Sequence, residues 1–519
     1  MSDKKSLVII GGGITGLSAG LAWVKNVDTD EKPVLILEKQ PVIGGLVTSY
    51  KRQGYLFDTA QIIPDINDIL EYFDIKIELK QFKGFYARIF ITNPETGEIR
   101  PYKIPSSLQG FEYYLINRFP GDAKAIKRFL KYTCDMYDEL YNLKYHPTFA
   151  EKLRMLFACR KILGNSSKTF ADYYKKFKIK SIEIKEIFDV FAAFSGLSAE
   201  RVAALLTVGA INATLKGAYR PVKGFIQFPN VLRKKYLELG GQLKTNCEVK
   251  KIHIENGMAK GVVLNSGELI EADYIITTAD PKFAMKELVG LDILKKLDRK
   301  YARKVEKMKM SASSFHISLG LDDDINLAEL GFDCGYNILT TGGDTFEQLF
   351  RSFDESKIGF TPGKFHCAVI VPSLTTKTKN TVIIRVVPIP ISNWKELRDN
   401  NKWLYDKEKN DMADFFIELV DTYLIPGLKK HIVVKDIATP ATFERYCGSP
   451  TGSNYDMAPY PDNYGKNRLK MITPVKNLLQ PKFSNGIWPS LQAGLQAVDY
   501  ILDRKIMDGY CRFMSKKNK

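Results

Sequence analysis

The sequence predicts an α/β fold: a parallel sheet built from strand–turn–helix–strand units, interleaved with a second unit of mixed helices and strands. Three observations predict it. The apolar run Leu7-Val8-Ile9-Ile10 reads as a short buried strand, and Gly11, Gly13 and Gly16 follow it in a G-x-G-x-x-G turn. Leu17 to Lys25 then reads as a helix, and a second apolar run, Val34 to Leu37, ends in Glu38, 22 residues past the last glycine. Similar strand and turn signals return near Gly224 and in the C-terminal segment, with long stretches of different character between.

The first block is a Rossmann-type dinucleotide-binding pattern. Gly11 makes the tight turn, Gly13 lets the backbone approach a pyrophosphate, and Gly16 lets helix and strand pack closely. The helix N-terminus at Ile14 and Thr15 offers unpaired N–H groups and a positive dipole end to phosphates. Glu38, with Lys39 beside it, can accept the hydroxyls of an adenosine ribose. Gly44-Gly45 follow in Pro41-Val42-Ile43-Gly44-Gly45, where paired glycines let the backbone pass close to a flavin's ribityl and phosphate region. A nicotinamide dehydrogenase would continue the alternation of strands and helices instead, so FAD is favoured over NAD. A simple turn is the plainer reading of Gly44-Gly45.

The second block opens near Gly224. Leu232 to Leu239 looks helical, Gly240-Gly241 stops it, and Cys247 to Ile254 reads as a strand. Glu255-Asn256-Gly257 is a hairpin turn, Val262 to Leu264 a second strand, and Tyr274 to Thr278 a third, closing on Ala279-Asp280-Pro281. The third block ends in a helix, Leu491 to Leu502. The expected division is therefore a discontinuous cofactor domain (1–105, 222–285, 438–519) and a mixed α+β substrate domain (106–221, 286–437). In the latter, Ala123 to Leu143, Phe149 to Leu163, Phe170 to Phe177, Arg201 to Thr214 and the basic stretch Leu294 to Lys309 read as helices. Phe315 to Leu319, Cys367 to Val371 and Val382 to Val387 read as strands.

Bulk properties narrow the function classes. At 519 residues, two or three domains are expected. Hydrophobic content of 45% and charged content of 26% suit a globular protein, and no apolar run approaches the length of a membrane span. Seven scattered cysteines, Cys334 and Cys511 among them, contain no C-x-x-C pair and suit reduced thiols; five separated histidines give no metal-ligand spacing. The N-terminus enters the first strand directly and no signal peptide is readable, so a cytoplasmic setting is expected. The Lys-rich tail from Lys516 is expected to fray. A net charge of +17 fits a generally basic surface or an anionic membrane surface better than nucleic acid, for which there is no recognisable module.

At this point the chain resembles the phytoene desaturase, carotenoid isomerase and retinol saturase group of FAD-dependent oxidoreductases, within the wider amine oxidase-like class. The resemblance runs through Phe119-Pro120-Gly121-Asp122, Gly217-Ala218-Tyr219-Arg220-Pro221, Gly240-Gly241, Gly261-Val262-Val263, Ala272-Asp273, Asp280-Pro281, Ser311 to Leu321, Thr439-Pro440, Gly452 to Tyr455 and Thr473 to Asn477. It implies that Val249 meets the adenine through its backbone. It also implies that Gly486, Pro489 and Ser490 open a helix toward the flavin. The reaction it implies is desaturation, saturation or redox-linked isomerisation of an apolar polyene, isoprenoid or related lipid, by hydride exchange with the flavin. An amine or porphyrinogen oxidase is the alternative within enzymes, and a non-catalytic relative that binds membrane or protein is the alternative outside them.

The chain also departs from the group. Leu478-Leu479-Gln480-Pro481-Lys482-Phe483 lacks the acid of the usual Ala-Gly-Asp or Ala-Gly-Glu strand end; Gln480 is expected to offer a neutral hydrogen bond instead. No catalytic acid, base, nucleophile or metal site announces itself, as suits chemistry carried by a cofactor. His316 reads as a core histidine. Cys447 is a remote candidate for a covalent flavin link, and Tyr446, Tyr455 and Trp488 either line a channel or pack. In Phe149 to Leu163, the residues Leu153, Leu156, Phe157 and Ile162 are expected on one broad face. Lys152, Arg154, Arg160 and Lys161 flank it, as in an interfacial membrane helix or an ordinary surface helix.

Overall fold

The computed structural model describes residues 4–93, 95–143, 146–332, 335–343, 347–351, 364–376, 378–482, 486–503 and 506–510. Cys334, Cys511, Phe483 and the tail from Lys516 lie outside the described residues. Two seven-stranded sheets organise the chain.

In the first sheet, β1 (Lys5–Ile10) is followed by helix α1 (Ile14–Val24) and β2 (Val34–Leu37). β1 lies between β2 and Leu269–Thr277, parallel to both, and Gln242–Lys244 extends the sheet beyond β2. Leu7 to Ile10 and Val34 to Leu37 are buried without alternation because both sheet faces are covered. On one face lie α1, Gln227–Glu238 and Ile487–Ile501; the core on the other is filled by the helices after Pro281 and by Val249–Glu255 and Met258–Leu264, which continue the same sheet antiparallel beyond Leu269–Thr277. Asn256 and Gly257, at φ of 49° and 75°, make the tight turn between those two strands.

The second sheet runs Ile432–Ala438, Ser313–Leu321, Thr381–Ile389, His366–Ile370, Tyr336–Thr341, Phe85–Thr92 and Ile99–Pro105. The last two strands fall in the cofactor domain if the chain is divided at residue 105. They pair instead into this sheet, Asn337 to Thr341 running parallel to Arg88 to Thr92. Ile432–Ala438 likewise pairs with Ser313–Leu321, so this sheet takes strands from both sides of the expected boundaries. Along Ser313–Leu321 the faces alternate. Phe315, Ile317 and Leu319 pack on the helices of 392–423, while Ser314, His316 and Ser318 lie on the opposite face, toward Asn454, Phe443 and Tyr50.

Two long helices expected from periodicity are broken by caps. Asp298 accepts from Lys300 N (2.8 Å) and Tyr301 N (3.0 Å), starting a new helix inside the Leu294–Lys309 stretch. Phe149–Ala158 ends at Cys159, and Glu139 accepts from Lys161 N (2.9 Å) and Ile162 N (3.0 Å) to start Arg160–Gly164. That break turns Ile162 inward, so it does not share the exposed face of Leu153, Leu156 and Phe157. Ile182–Ala193, a buried helix behind the second sheet, has no counterpart in the sequence expectations.

Candidate functional site

The turn after β1 is built by backbone contact. A Cβ on Gly16 would stand 2.0 Å from Gly11 O, and Gly11 itself sits at φ +104° against Thr278, so neither position admits a side chain. Gly13 differs. Its φ of −71° and ψ of 173° suit any residue, and a Cβ there would meet only Gly44 O, at 4.0 Å. Nothing in the protein requires a glycine at this point; the bare backbone faces open space. Gly44 N donates to Gly12 O (2.9 Å), which stitches the Gly44-Gly45 loop to the same cradle. Glu38, almost fully buried, accepts from Gly12 N and Gln40 N, both at 2.8 Å, and so has a fixed carboxylate beside the turn. Lys39 reaches over to Arg445 O (3.5 Å).

One cavity of about 1910 Å³ takes in this cradle. Gly11, Gly13, Ile14, Thr15, Glu38, Lys39, Gly44, Gly45, Val249, Gly486, Pro489 and Ser490 all line it; Gly16 sits behind, sealing helix to strand. Pockets for a single ligand seldom exceed roughly 1,000 Å³, so the volume accommodates a dinucleotide and a second molecule. The open space at Gly13, the N-terminus of α1 and the Glu38 carboxylate all face this cavity. α1 and Ile487–Ile501 pack so closely that a Cβ on Gly494 would stand 2.6 Å from Thr15 O, and Ser18 Oγ donates to Leu491 O (2.6 Å). This contact brings the N-terminus of the last helix to the same cavity as the glycine turn.

Gln480 does not line the cavity. It is fully buried, its Nε2 donates to Ala279 O (3.1 Å), and its Oε1 has no partner. Lys482 lines the cavity instead, paired with Asp456 at 3.1 Å. Burial works against its ammonium, yet Asp456 and Asp280 outweigh that and raise its pKa. Asp280 caps the turn after the sheet, accepting from Lys282 N and Phe283 N at 3.0 Å; burial, then Asp456, pushes its carboxyl up to about 6. Cys447 lies in this cluster and burial pushes its thiol up to about 11, which leaves it un-ionised near neutrality. Sequence reasoning missed Lys482 because it looked for an acid at that strand end and not for a cation.

Toward the second sheet the cavity is lined by His316, Arg385, Asn454 and Tyr455, and Tyr446 and Trp488 also border it. His316 is buried against the Phe443 ring (4.7 Å between centroids), and burial with nearby Arg385 holds its pKa well below the usual range, so it is neutral. Arg385 was also missed. Its signal is a lone charge inside the apolar run Val382-Ile383-Ile384-Arg385-Val386-Val387. The far end is apolar: Tyr137, Leu140, Leu143, Ile162, Leu205 and Leu206 wall it, with the small residues Gly209, Ala210 and Ala213. Among the described residues no group of His, Cys, Asp and Glu is placed to hold a metal, and no helix is long and apolar enough to cross a membrane.

A nucleotide-cradling sheet and a second mixed sheet closing on one cavity define the fold of the amine oxidase-like flavoproteins. The structure of wild-type putrescine oxidase bound to putrescine matches it with a TM-score of 0.60 at 12% identity, over 96% of this chain and 99% of that one. The chain belongs to the flavin containing amine oxidoreductase family, whose pattern matches residues 14–325. Family members use a flavin cofactor. Among curated relatives, prolycopene isomerase of Daucus carota is 24% identical over 494 residues, covering 91% of this chain and 74% of that protein. A 4,4'-diapophytoene desaturase of Staphylococcus aureus is 22% identical over 473 residues, covering 87% and 89%.

Proposed function

We propose that the chain binds FAD along Gly11 to Glu38, Gly44-Gly45, Val249 and Gly486 to Ser490, and acts as an oxidoreductase on an apolar polyene, isoprenoid or related lipid. The observation that carries this reading is the single cavity running from the nucleotide cradle to an apolar end walled by the helical insertion. The two relatives above, named for prolycopene isomerisation and diapophytoene desaturation, support an apolar substrate. Bound flavin supplies hydride transfer. The chain's own part is to hold the diphosphate on backbone N–H groups, fix the ribose on Glu38, and surround the substrate with side chains that exclude water. His316, held neutral with its pKa well below the usual range, and un-ionised Cys447 do not compete with hydride chemistry as base or nucleophile.

The cavity's apolar end adjoins an exposed apolar surface. Leu140 and Leu143 line the cavity and are also exposed, and Phe149–Ala158 beside them buries no residue, with Phe149 at 78% and Phe157 at 81% exposure. This face, on a chain of net charge +17, suits an anionic bilayer from which a lipid can enter. Lys161 takes no direct part, because it is held by Asp135 at 3.2 Å and Glu139 at 4.0 Å. Phe149→Asp with Phe157→Asp should abolish co-sedimentation with anionic liposomes; unchanged co-sedimentation removes this helix from the reading. The cofactor is tested by the visible spectrum of purified protein. Oxidised flavin bands, present as purified or after adding FAD, are expected, whereas protein that stays colourless refutes the proposal.

A further inference from the structure

Arg385 stands where a hydrocarbon site has no use for a charge. It lies on Thr381–Ile389, directly across from His316 on Ser313–Leu321, and both side chains are on the sheet face that borders the cavity. It is 9% exposed. One guanidinium nitrogen donates to Thr59 O and Tyr455 lies close enough to favour its charge, while Nε has no partner. Among the described residues no carboxylate lies within ion-pair reach of it. Asp436, which also lines the cavity, is paired with Arg52 at 3.4 Å. His316 is neutral and supplies no counter-charge.

The other buried arginine of this region shows what a structural role looks like. Arg220, fully buried, holds Asp58 at 2.6 Å and Gln61 O at 2.6 Å, so its charge is neutralised inside the protein. Arg385 has neutral oxygens only. Burying a cation without a counter-ion is strongly unfavourable unless an anion arrives to share the site. A ligand with no polar atom would expel water from this guanidinium and leave it desolvated. A carboxylate would instead meet a positive charge with two-point hydrogen-bonding geometry.

Resting on the lipid reading above, the geometry points to an anion subsite at Arg385: the substrate is an apolar chain that ends in, or carries, a carboxylate. The carboxylate docks between Arg385 and Tyr455, and the chain runs toward Leu205, Leu206, Ala210 and Ala213. Thr59 O holds the guanidinium in place from the strap that follows Gly44-Gly45, so the anchored end lies against the cofactor side of the cavity.

The test uses the FAD-loaded protein and parinaric acid, a fluorescent polyene carboxylate, against its methyl ester and the corresponding alcohol. The acid should bind wild type at least tenfold more tightly than either neutral form. Arg385→Gln should erase that preference, and Arg385→Lys should keep part of it; thermal melts report whether each variant folds. Equal affinity for acid and ester in wild type overturns the proposal whatever the variants do. So does a tenfold preference that survives in folded Arg385→Gln, or a variant that loses FAD but keeps the acid preference. Because the readout is the probe's own fluorescence, protein that takes up no FAD refutes the flavin reading separately. The acid-to-ester comparison still decides the subsite.

Discussion

Gly13→Ala separates what the protein needs from what its ligand needs. The native backbone at Gly13 (φ −71°, ψ 173°) is open to alanine, and the added Cβ meets only Gly44 O at 4.0 Å. Two small effects on the ligand-free chain oppose each other. Replacing glycine at a compatible conformation stabilises by about 0.4–1 kcal/mol through the unfolded state, while alanine is a poorer helix N-cap than glycine by up to about 1 kcal/mol. The net change should move Tm by no more than about 2–4 °C. For a diphosphate on the same backbone, the methyl group occupies the approach path. Losing one charge-assisted hydrogen bond of about 1.5–3 kcal/mol weakens binding by roughly 10- to 150-fold. Thermal melts of ligand-free protein and FAD titration followed by flavin fluorescence measure the two quantities separately. Wild-type FAD affinity in Gly13→Ala, or a collapse of the ligand-free Tm, would refute the assignment of this glycine to the cofactor.

Three further outcomes follow from the same geometry. Glu38→Ala leaves both Gly12 N and Gln40 N unpaired, at about 1–3 kcal/mol each, whereas Glu38→Gln keeps one acceptor oxygen for one of them, so ligand-free Tm should fall in the order wild type, Glu38→Gln, Glu38→Ala; an unchanged Tm in Glu38→Ala would show that the carboxylate does not brace the turn. Asp280 has a folded pKa raised from 3.8 to about 6, so its neutral form favours the folded state and stability is lost as pH rises through that window. Asp280→Asn keeps an acceptor for the cap and abolishes the loss. The variant should gain on wild type by up to about 3 kcal/mol between pH 4 and 7 in urea unfolding, and a pH-independent difference would contradict this. Ala213→Phe should fill the apolar end, leaving FAD affinity unchanged while lowering lipid affinity at least tenfold in a fluorescent-lipid titration; loss of both would mean that the two ends are not separable.

Much of the cofactor half was legible because its signals are local. Gly16 is imposed by contact with Gly11 in the same turn, Gly11 by its own left-handed backbone, and Glu38 ends the neighbouring strand, so spacing alone locates them. The long-range parts were less legible. Phe85–Thr92 looks like any short strand, and nothing near it in sequence says that it pairs with Tyr336–Thr341, some 250 residues away. The breaks at Asp298 and Cys159 depend on a cap: Asp298 was a local signal passed over, whereas Glu139 acts from 22 residues upstream. Arg385 and Lys482 were hidden for a related reason. Each is a lone charge whose meaning depends on the cavity it borders, and the cavity exists only once both sheets have formed.

The central claim is that one cavity holds flavin and an apolar ligand side by side. Titrating FAD-loaded protein with a polyene carboxylate while recording the flavin's visible bands tests it most directly. A saturable shift of those bands, present in wild type and absent in Ala213→Phe, is predicted. A flavin spectrum unmoved by ligand concentrations that saturate the probe's own fluorescence would place the two molecules in separate sites and contradict the account.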